Sequence, residues 1–250
     1  MTLLQAANME VVSGDAGILG FSNTTSILLL VAIAVVGYIV EWRLRSVFSR
    51  YSDVALDSGK TGGEIALEML HAHGIYNVQV VRVRGLLTDH FNPTTLTVAL
   101  SDATFNSSSV TAAAVACHEC GHALQYMTGY SPLTLRTRLV PIISFSSRIA
   151  SWIIIAGIAL LASTGNAALC WLGIFLVSMS ALFAIVTLPV EYNASARALA
   201  WLRTNDIIAE DKMTGARETL RWAARTYLVA ALGAIATLIY YITLINSRRR

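Results

Sequence analysis

Four long apolar runs constrain this chain more than any other feature, because a polypeptide carrying them has few ways to keep them from water. They cover residues 27–40, 149–163, 167–188 and 227–246. A helix that crosses the hydrocarbon core of a bilayer needs about 20 mostly apolar residues. The third and fourth runs reach that length. The first extends to Trp42 and back through Ser26, and the second is expected to start earlier, with Arg148 snorkelling from 142–150. Thr164-Gly165-Asn166 between the second and third reads as the tight turn of a two-span hairpin. Hydrophobic residues make up 55% of the chain and charged ones 13%, against roughly a quarter charged in soluble domains. Trp42, Trp152, Trp171, Trp222 and Tyr240-Tyr241 fall near run ends, as an aromatic belt would. No Lys or Arg precedes the first run and no small-residue cleavage pattern follows it, so a removed signal peptide is not expected. The first 25 residues are rich in Gly, Ser and Asn and are expected to be loosely ordered.

Charge sets the orientation. Residues 1–26 and the 163–168 turn contain no Lys or Arg. Arg43, Arg45, Arg50 and Lys60 follow the first run, and Arg136, Arg138 and Arg148 precede the second. Arg197, Arg203, Lys212, Arg217, Arg221 and Arg225 lie between the third and fourth. The positive-inside rule then puts the N-terminus outside and residues 43–148 and 190–226 in the cytoplasm. A fourth full span would carry Arg248-Arg249-Arg250 outside, against the rule. Either that run is re-entrant or surface-packed, or the six upstream cations outweigh the terminal three. Cationic segments beside spans suit anionic lipid as a partner, and nucleic acid is not expected.

The chemistry is concentrated in His118-Glu119-Cys120-Gly121-His122. Histidines four apart on a helix lie about 40° apart around its axis, so both imidazoles can reach one metal ion. The glutamate one step on from the first histidine sits beside that metal, placed to take a proton from water. Ser107-Ser108-Ser109 offers N-cap hydroxyls, and the spacing predicts a helix over 110–128 that stops at Gly129. Gly121 leaves room for substrate or for another helix. A hydrolytic zinc site normally takes three protein ligands. The best third candidate is Glu191, in Pro189-Val190-Glu191-Tyr192-Asn193-Ala194-Ser195. Pro189 can start or kink a helix, on which Ser195 shares the face of Glu191 and can support a ligand. Asn193 and Arg197 project from the far side of a regular helix. Charge places 118–122 and 191 on the same side of the membrane, an agreement independent of the motif.

These segments, with Leu87-Thr88-Asp89-His90-Phe91-Asn92-Pro93 upstream, resemble the YugP-type neutral zinc metallopeptidases of bacterial membranes. The resemblance runs from about Gly59 to the C-terminal span. It implies one Zn²⁺ ion held by His118, His122 and Glu191, with Glu119 as catalytic base. It also implies a multi-pass protein of a bacterial-type inner (plasma) membrane acting on peptide or protein substrates, membrane proteins among them. The more distant HtpX-type membrane proteases usually carry Asp four residues after the ligand glutamate, where this chain has Ser195. Ser195 and His90 are candidates for supporting a ligand or touching substrate, and for His90 a loop-stabilising role is equally open.

Between the spans, 43–148 reads as α+β. Thr61-Gly62-Gly63-Glu64 resembles a capping box ahead of an amphipathic helix over 65–72. Residues 78–84 and 95–100 are strand-like, the second following an Asn92-Pro93 turn. An exposed strand edge can hold an extended peptide by main-chain pairing, and 95–101 is the candidate for that role. Cys117 and Cys120 have Cys-x-x-Cys spacing, but only Cys170 remains elsewhere, so reduced packed thiols are expected rather than a zinc knuckle. His71 and His73 read as a solvated helix end.

The expected fold class is α+β, mainly α-helical and multi-pass, with a zincin-like core, a small β-hairpin or sheet and about four transmembrane helices. The expected segments are 1–42, 43–148, 149–189, 190–226 and 227–250. The expected activity is zinc-dependent endopeptidase cleavage near the cytoplasmic membrane face. An idle zinc-holding scaffold is one alternative, although such a site has no need of Glu119. A metal transporter is another, but transport sites lie within spans.

Overall fold

Helix is the only secondary structure that lets a single apolar segment satisfy its own backbone inside lipid, and this chain uses it at length. The computed structural model describes residues 23–248. The expectation of a loosely ordered N-terminus therefore falls mostly on residues outside the described ones, as do Arg249 and Arg250. Four long helices carry the apolar runs: α1 (Asn23–Ser52), α5 (Ser131–Thr164), α6 (Ala168–Thr204) and α7 (Met213–Arg248). All four are long and apolar enough to cross a membrane. Each continues past its apolar run into polar sequence. Pro141 and Pro189 lie inside helices, so Pro189 does not begin one.

The chain divides into two compact units. The first takes the described residues up to Tyr38, Arg138–Ile185, and those from Leu228 on. Small residues let its helices approach. A Cβ on Gly157 would lie 2.7 Å from the Cys170 nitrogen, so only glycine permits this packing of α5 on α6. Gly165, at φ +72, makes the turn between those two helices, as expected for a hairpin. Buried Ser26 and Thr243 pair their hydroxyls at 3.1 Å, satisfying polar groups that would otherwise be costly there.

The second unit comprises Ile39–Thr137 and Val186–Tyr227. Its helix α2 (Gly62–Ala72) starts with the expected capping box: Glu64 N donates to Thr61 Oγ1, and Thr61 N donates to Glu64 Oε2 at 2.8 Å. That backbone donor, with the Thr61 hydroxyl, holds the Glu64 carboxyl below its usual range. Three strands follow: β1 (Gln79–Val83), β2 (His90–Asn92) and β3 (Thr97–Ser101). The order is β1-β3-β2, with β1 parallel to β3 from Gln79↔Thr97 to Val83↔Ser101 and β2 antiparallel through Phe91↔Val98. Asn92 Oδ1 accepts from Thr94 N at 2.9 Å, closing the turn read from Asn92-Pro93.

One expectation is corrected here. Residues 95–101 do not offer a free edge for substrate, because β3 is the central strand and its main-chain groups are taken on both sides. The edges are β1 and the short β2. After β3 come α3 (Asp102–Phe105) and α4 (Val110–Met127). The core of this unit joins Ile65, Met69 and Leu70 of α2, Val98 and Leu100 of β3, Ala113, Ala116 and Ala123 of α4, and Ala198 and Leu202 of α6. The alanine-rich face of α4 brings neighbouring backbones close, which is how the site is assembled.

Candidate metal centre

Helix α4 begins where the sequence indicates, with Ser109 Oγ accepting from Ala112 N at 3.2 Å. Its regular turns bring the His118 and His122 rings to 4.8 Å between centroids, near edge-to-face. Gly121 lies against α6, and a Cβ there would come within 2.7 Å of the Ala194 carbonyl oxygen. Of the two roles open to Gly121, it serves helix approach. That contact carries Glu191, one turn before Ala194, onto the histidine pair.

Glu191 is 2% exposed and points one oxygen at the imidazoles. Its Oε2 lies 3.3 Å from His118 Nε2 and 3.5 Å from His122 Nε2. All three donor atoms lie within 4.8 Å of one another. Tetrahedral ligands about 2.0–2.1 Å from zinc stand about 3.3–3.4 Å apart, so two of the three edges already have zinc dimensions. Two imidazole nitrogens and one carboxylate oxygen are also a donor set that zinc prefers. The residues present fit the ion.

Each donor is steadied by a partner behind it. Gln125 Nε2 donates to the Val190 carbonyl at 2.8 Å and to Asn193 Oδ1 at 3.0 Å. That commits the amide nitrogen and turns Gln125 Oε1, an acceptor, toward His122 Nδ1 at 3.0 Å. When neutral, His122 therefore keeps its proton on Nδ1, which leaves Nε2 for a metal ion; when charged, Nε2 donates to Glu191. Ser195 Oγ lies 3.1 Å from His118 Nδ1, so the supporting role expected of it has a physical basis. Glu191 Oε1 accepts from Arg136 Nη1 of α5 at 3.1 Å, and the Tyr227 hydroxyl of α7 lies near enough to feel the same carboxylate. Burial alone would lower the His122 pKa. The hydrogen bond to Glu191 and the charges of Glu119 and Glu191 outweigh it, holding His122 above the ordinary histidine value.

Glu119 lies on α4 at 8% exposure, between the two histidines in sequence. His90 is not brought into the cluster. It sits exposed on edge strand β2, with Nδ1 2.8 Å from the Thr88 carbonyl. Asp89 accepts from Ser101 N at 2.8 Å, tying that loop to β3. Cys117 and Cys120 are buried and free, and Cys120 Sγ donates to the Ala66 carbonyl of α2. Burial pushes both thiols up, and neither belongs to the metal-competent group of His118, His122 and Glu191.

A second correction concerns Asn193, expected with Arg197 on the far side of their helix but in contact with α4. Asn193 Oδ1 accepts from both Gln125 and Arg197 Nε. The Gly121–Ala194 approach is close enough that α4 covers a broader face of α6 than the ligand stripe alone. Gln125, Arg136 and Tyr227 escaped the sequence reading. Gln125 carried a weak signal, standing three residues after His122 on a shared helical face, whereas Arg136 and Tyr227 come from separate helices and carried none.

Four membrane-length helices and a His-His-Glu cluster that could hold a metal ion, built on a His-Glu-x-x-His helix, define the class: a membrane protein with a candidate metal centre. Residues 26–246 match the family described as "Putative neutral zinc metallopeptidase", and the chain belongs to that family. It is 37% identical over 223 residues, 89% of this chain and 97% of the relative, to the "Putative membrane protease YugP" of Bacillus subtilis (strain 168). No solved structure matches the chain.

Proposed function

We propose that this protein is a zinc-dependent endopeptidase of the plasma membrane that cuts peptide or protein substrates, membrane proteins among them, near the cytoplasmic face. The observation that carries the reading is the convergence of three donor atoms within 4.8 Å of one another, those of His122 and Glu191 buried and that of His118 half-buried, beside the buried carboxylate of Glu119, which is not one of the three. One Zn²⁺ held by His118, His122 and Glu191 would polarise a scissile carbonyl and lower the pKa of water toward about 7.

The remaining steps belong to the chain. Glu119 accepts the proton of the attacking water as the C–O bond forms, then delivers it to the leaving amine as the C–N bond breaks. Ser195 and Gln125 hold the two imidazoles with Nε2 presented. Arg136 keeps Glu191 from rotating. His90, exposed on the sheet edge, is a candidate for substrate contact. The cytoplasmic placement is supported by the cationic residues that cluster in the same segments as the site, Arg43 to Lys60 and Arg197 to Arg225 among them.

The test is Glu119→Gln in the purified full-length protein, assayed for zinc content and for cleavage of an unfolded membrane-protein substrate. Bound zinc with cleavage abolished is the expected result. Retained cleavage removes Glu119 from the mechanism, and cleavage lost together with zinc removes the separation of roles.

A further inference from the structure

An opening lies within the same unit, on the opposite face of α4 from His118 and His122. It is a cavity of about 660 Å³ where the ends of α2 and α4 meet the last turns of α6. Its wall carries one formally charged side chain, Arg197, and no carboxylate. Arg197 makes no ion pair among the described residues. Its Nε donates to Asn193 Oδ1 at 2.9 Å, which fixes the guanidinium plane and leaves the two Nη nitrogens to meet an anion.

The surrounding wall is mixed: Ile75, Leu124, Met127 and Trp201 supply its apolar part, beside neutral polar side chains such as Asn77 and Asn205. The indole N–H of Trp201 is buried without an acceptor among the described residues, a situation native structures rarely leave unexplained. Negative potential from the converging helix ends is blunted, because late carbonyls of α2, α4 and α6 accept from the backbone N–H groups of Ile75, Tyr130 and Ile207. Arg197 thus dominates the local charge.

We propose that this cavity binds an amphiphilic carboxylate, a single carboxyl group on an apolar body, and that its occupancy is transmitted to His122. The volume suits a ligand of that size. A guanidinium with two unengaged nitrogens matches a two-oxygen anion, and the apolar part of the wall receives the body of the ligand. Transmission follows one hydrogen-bonded chain. Asn193 Oδ1, held by Arg197, also accepts from Gln125 Nε2, and Gln125 Oε1 faces His122 Nδ1 at 3.0 Å. A carboxylate that draws Arg197 toward the cavity loosens Asn193, and with it the amide that fixes the His122 tautomer. Zinc affinity then falls, and zinc lowers ligand affinity by the same factor. The coupling rests on the metal-site reading, whereas the binding does not.

Two sources offer this chemistry: the free C-terminus of a peptide, such as a cleavage product, and a fatty acid from the bilayer. The test is calorimetric titration of the full-length protein in detergent with N-acetylleucine, octanoate, and N-acetylleucinamide as the uncharged control. At least one carboxylate binds and the amide does not. Stronger binding of N-acetylleucine assigns the peptide source and stronger binding of octanoate the lipid source.

Arg197→Gln, which removes the cation, and Ala200→Phe, which puts an aromatic ring into the cavity, each weaken binding at least about ten-fold. No carboxylate binding above that of empty micelles, equal binding of the amide, or unchanged binding in both variants overturns the site. In a chelator competition, saturating carboxylate weakens zinc about five-fold, and unchanged zinc affinity overturns the coupling alone. Binding measured on the Glu119→Gln protein keeps the result independent of peptidase activity.

Discussion

Replacing Gly121 with alanine adds one methyl group in the tightest part of the site. The new Cβ would lie 2.7 Å from the Ala194 carbonyl oxygen, 3.1 Å from its Cα and 3.2 Å from its carbonyl carbon. All three are backbone atoms of α6, so no side chain can swing away. Restoring ordinary contact needs about 0.7 Å of separation, and overpacking of this kind costs about 1–3 kcal/mol. At about 2–4 °C per kcal/mol for a chain of this size, Tm falls by roughly 2–12 °C.

The same displacement withdraws Glu191, one turn away, from imidazoles that its oxygen now meets at 3.3 and 3.5 Å. Loss of one well-placed ligand contact weakens zinc by at least about ten-fold. Thermal unfolding of the metal-free protein and chelator competition for zinc read the two effects separately. Wild-type Tm together with wild-type zinc affinity would refute the claim that the α4–α6 approach builds the site.

Other perturbations follow from the same geometry. Gln125→Leu removes the acceptor that holds the His122 proton on Nδ1 and is expected to weaken zinc about 10–100-fold, measured by the same competition. Arg136→Leu leaves Glu191 without its cation. Removing one partner of a buried pair costs about 3–5 kcal/mol, and the low end is expected because Tyr227 and both histidines remain; denaturant unfolding without metal measures it. The raised His122 pKa gives opposite pH responses with and without metal. Stability that His122 adds to the metal-free protein is present below the unfolded value of about 6.5 and is lost as pH rises through the folded value. Zinc must displace that proton, so its affinity falls with decreasing pH from a higher starting point than an ordinary histidine would set; metal-binding and unfolding curves between pH 5 and 9 test both.

The sequence revealed what is encoded locally. Two histidines a turn apart, a serine N-cap and a capping box at Thr61 are properties of neighbouring residues, and all appear in the structure. Glu191 was legible at long range because charge placed it on the same side as the histidines and because the flanking sequence was helix-compatible. Arg136 and Tyr227 were not, since only tertiary packing decides that α5 and α7 reach the Glu191 carboxylate. Strand β3 was found but given the wrong place. Pairing partners decide whether a strand is central, and β2 is too short for its period to show. Asn193 was misplaced because helical angle alone ignores how far two backbones close when glycine faces alanine. The helices outrun their apolar runs because hydropathy marks the lipid-facing portion, not where hydrogen bonding ends.

The most direct measurement is X-ray absorption at the zinc edge, with metal stoichiometry, on the wild-type protein and on Glu191→Gln. One zinc per chain, bound by two imidazoles and carboxylate oxygen in the wild type, with affinity sharply reduced and the carboxylate contribution gone in the variant, is the expected result. An unchanged spectrum and unchanged stoichiometry in Glu191→Gln would contradict the assignment of α6 to the metal and, with it, the site.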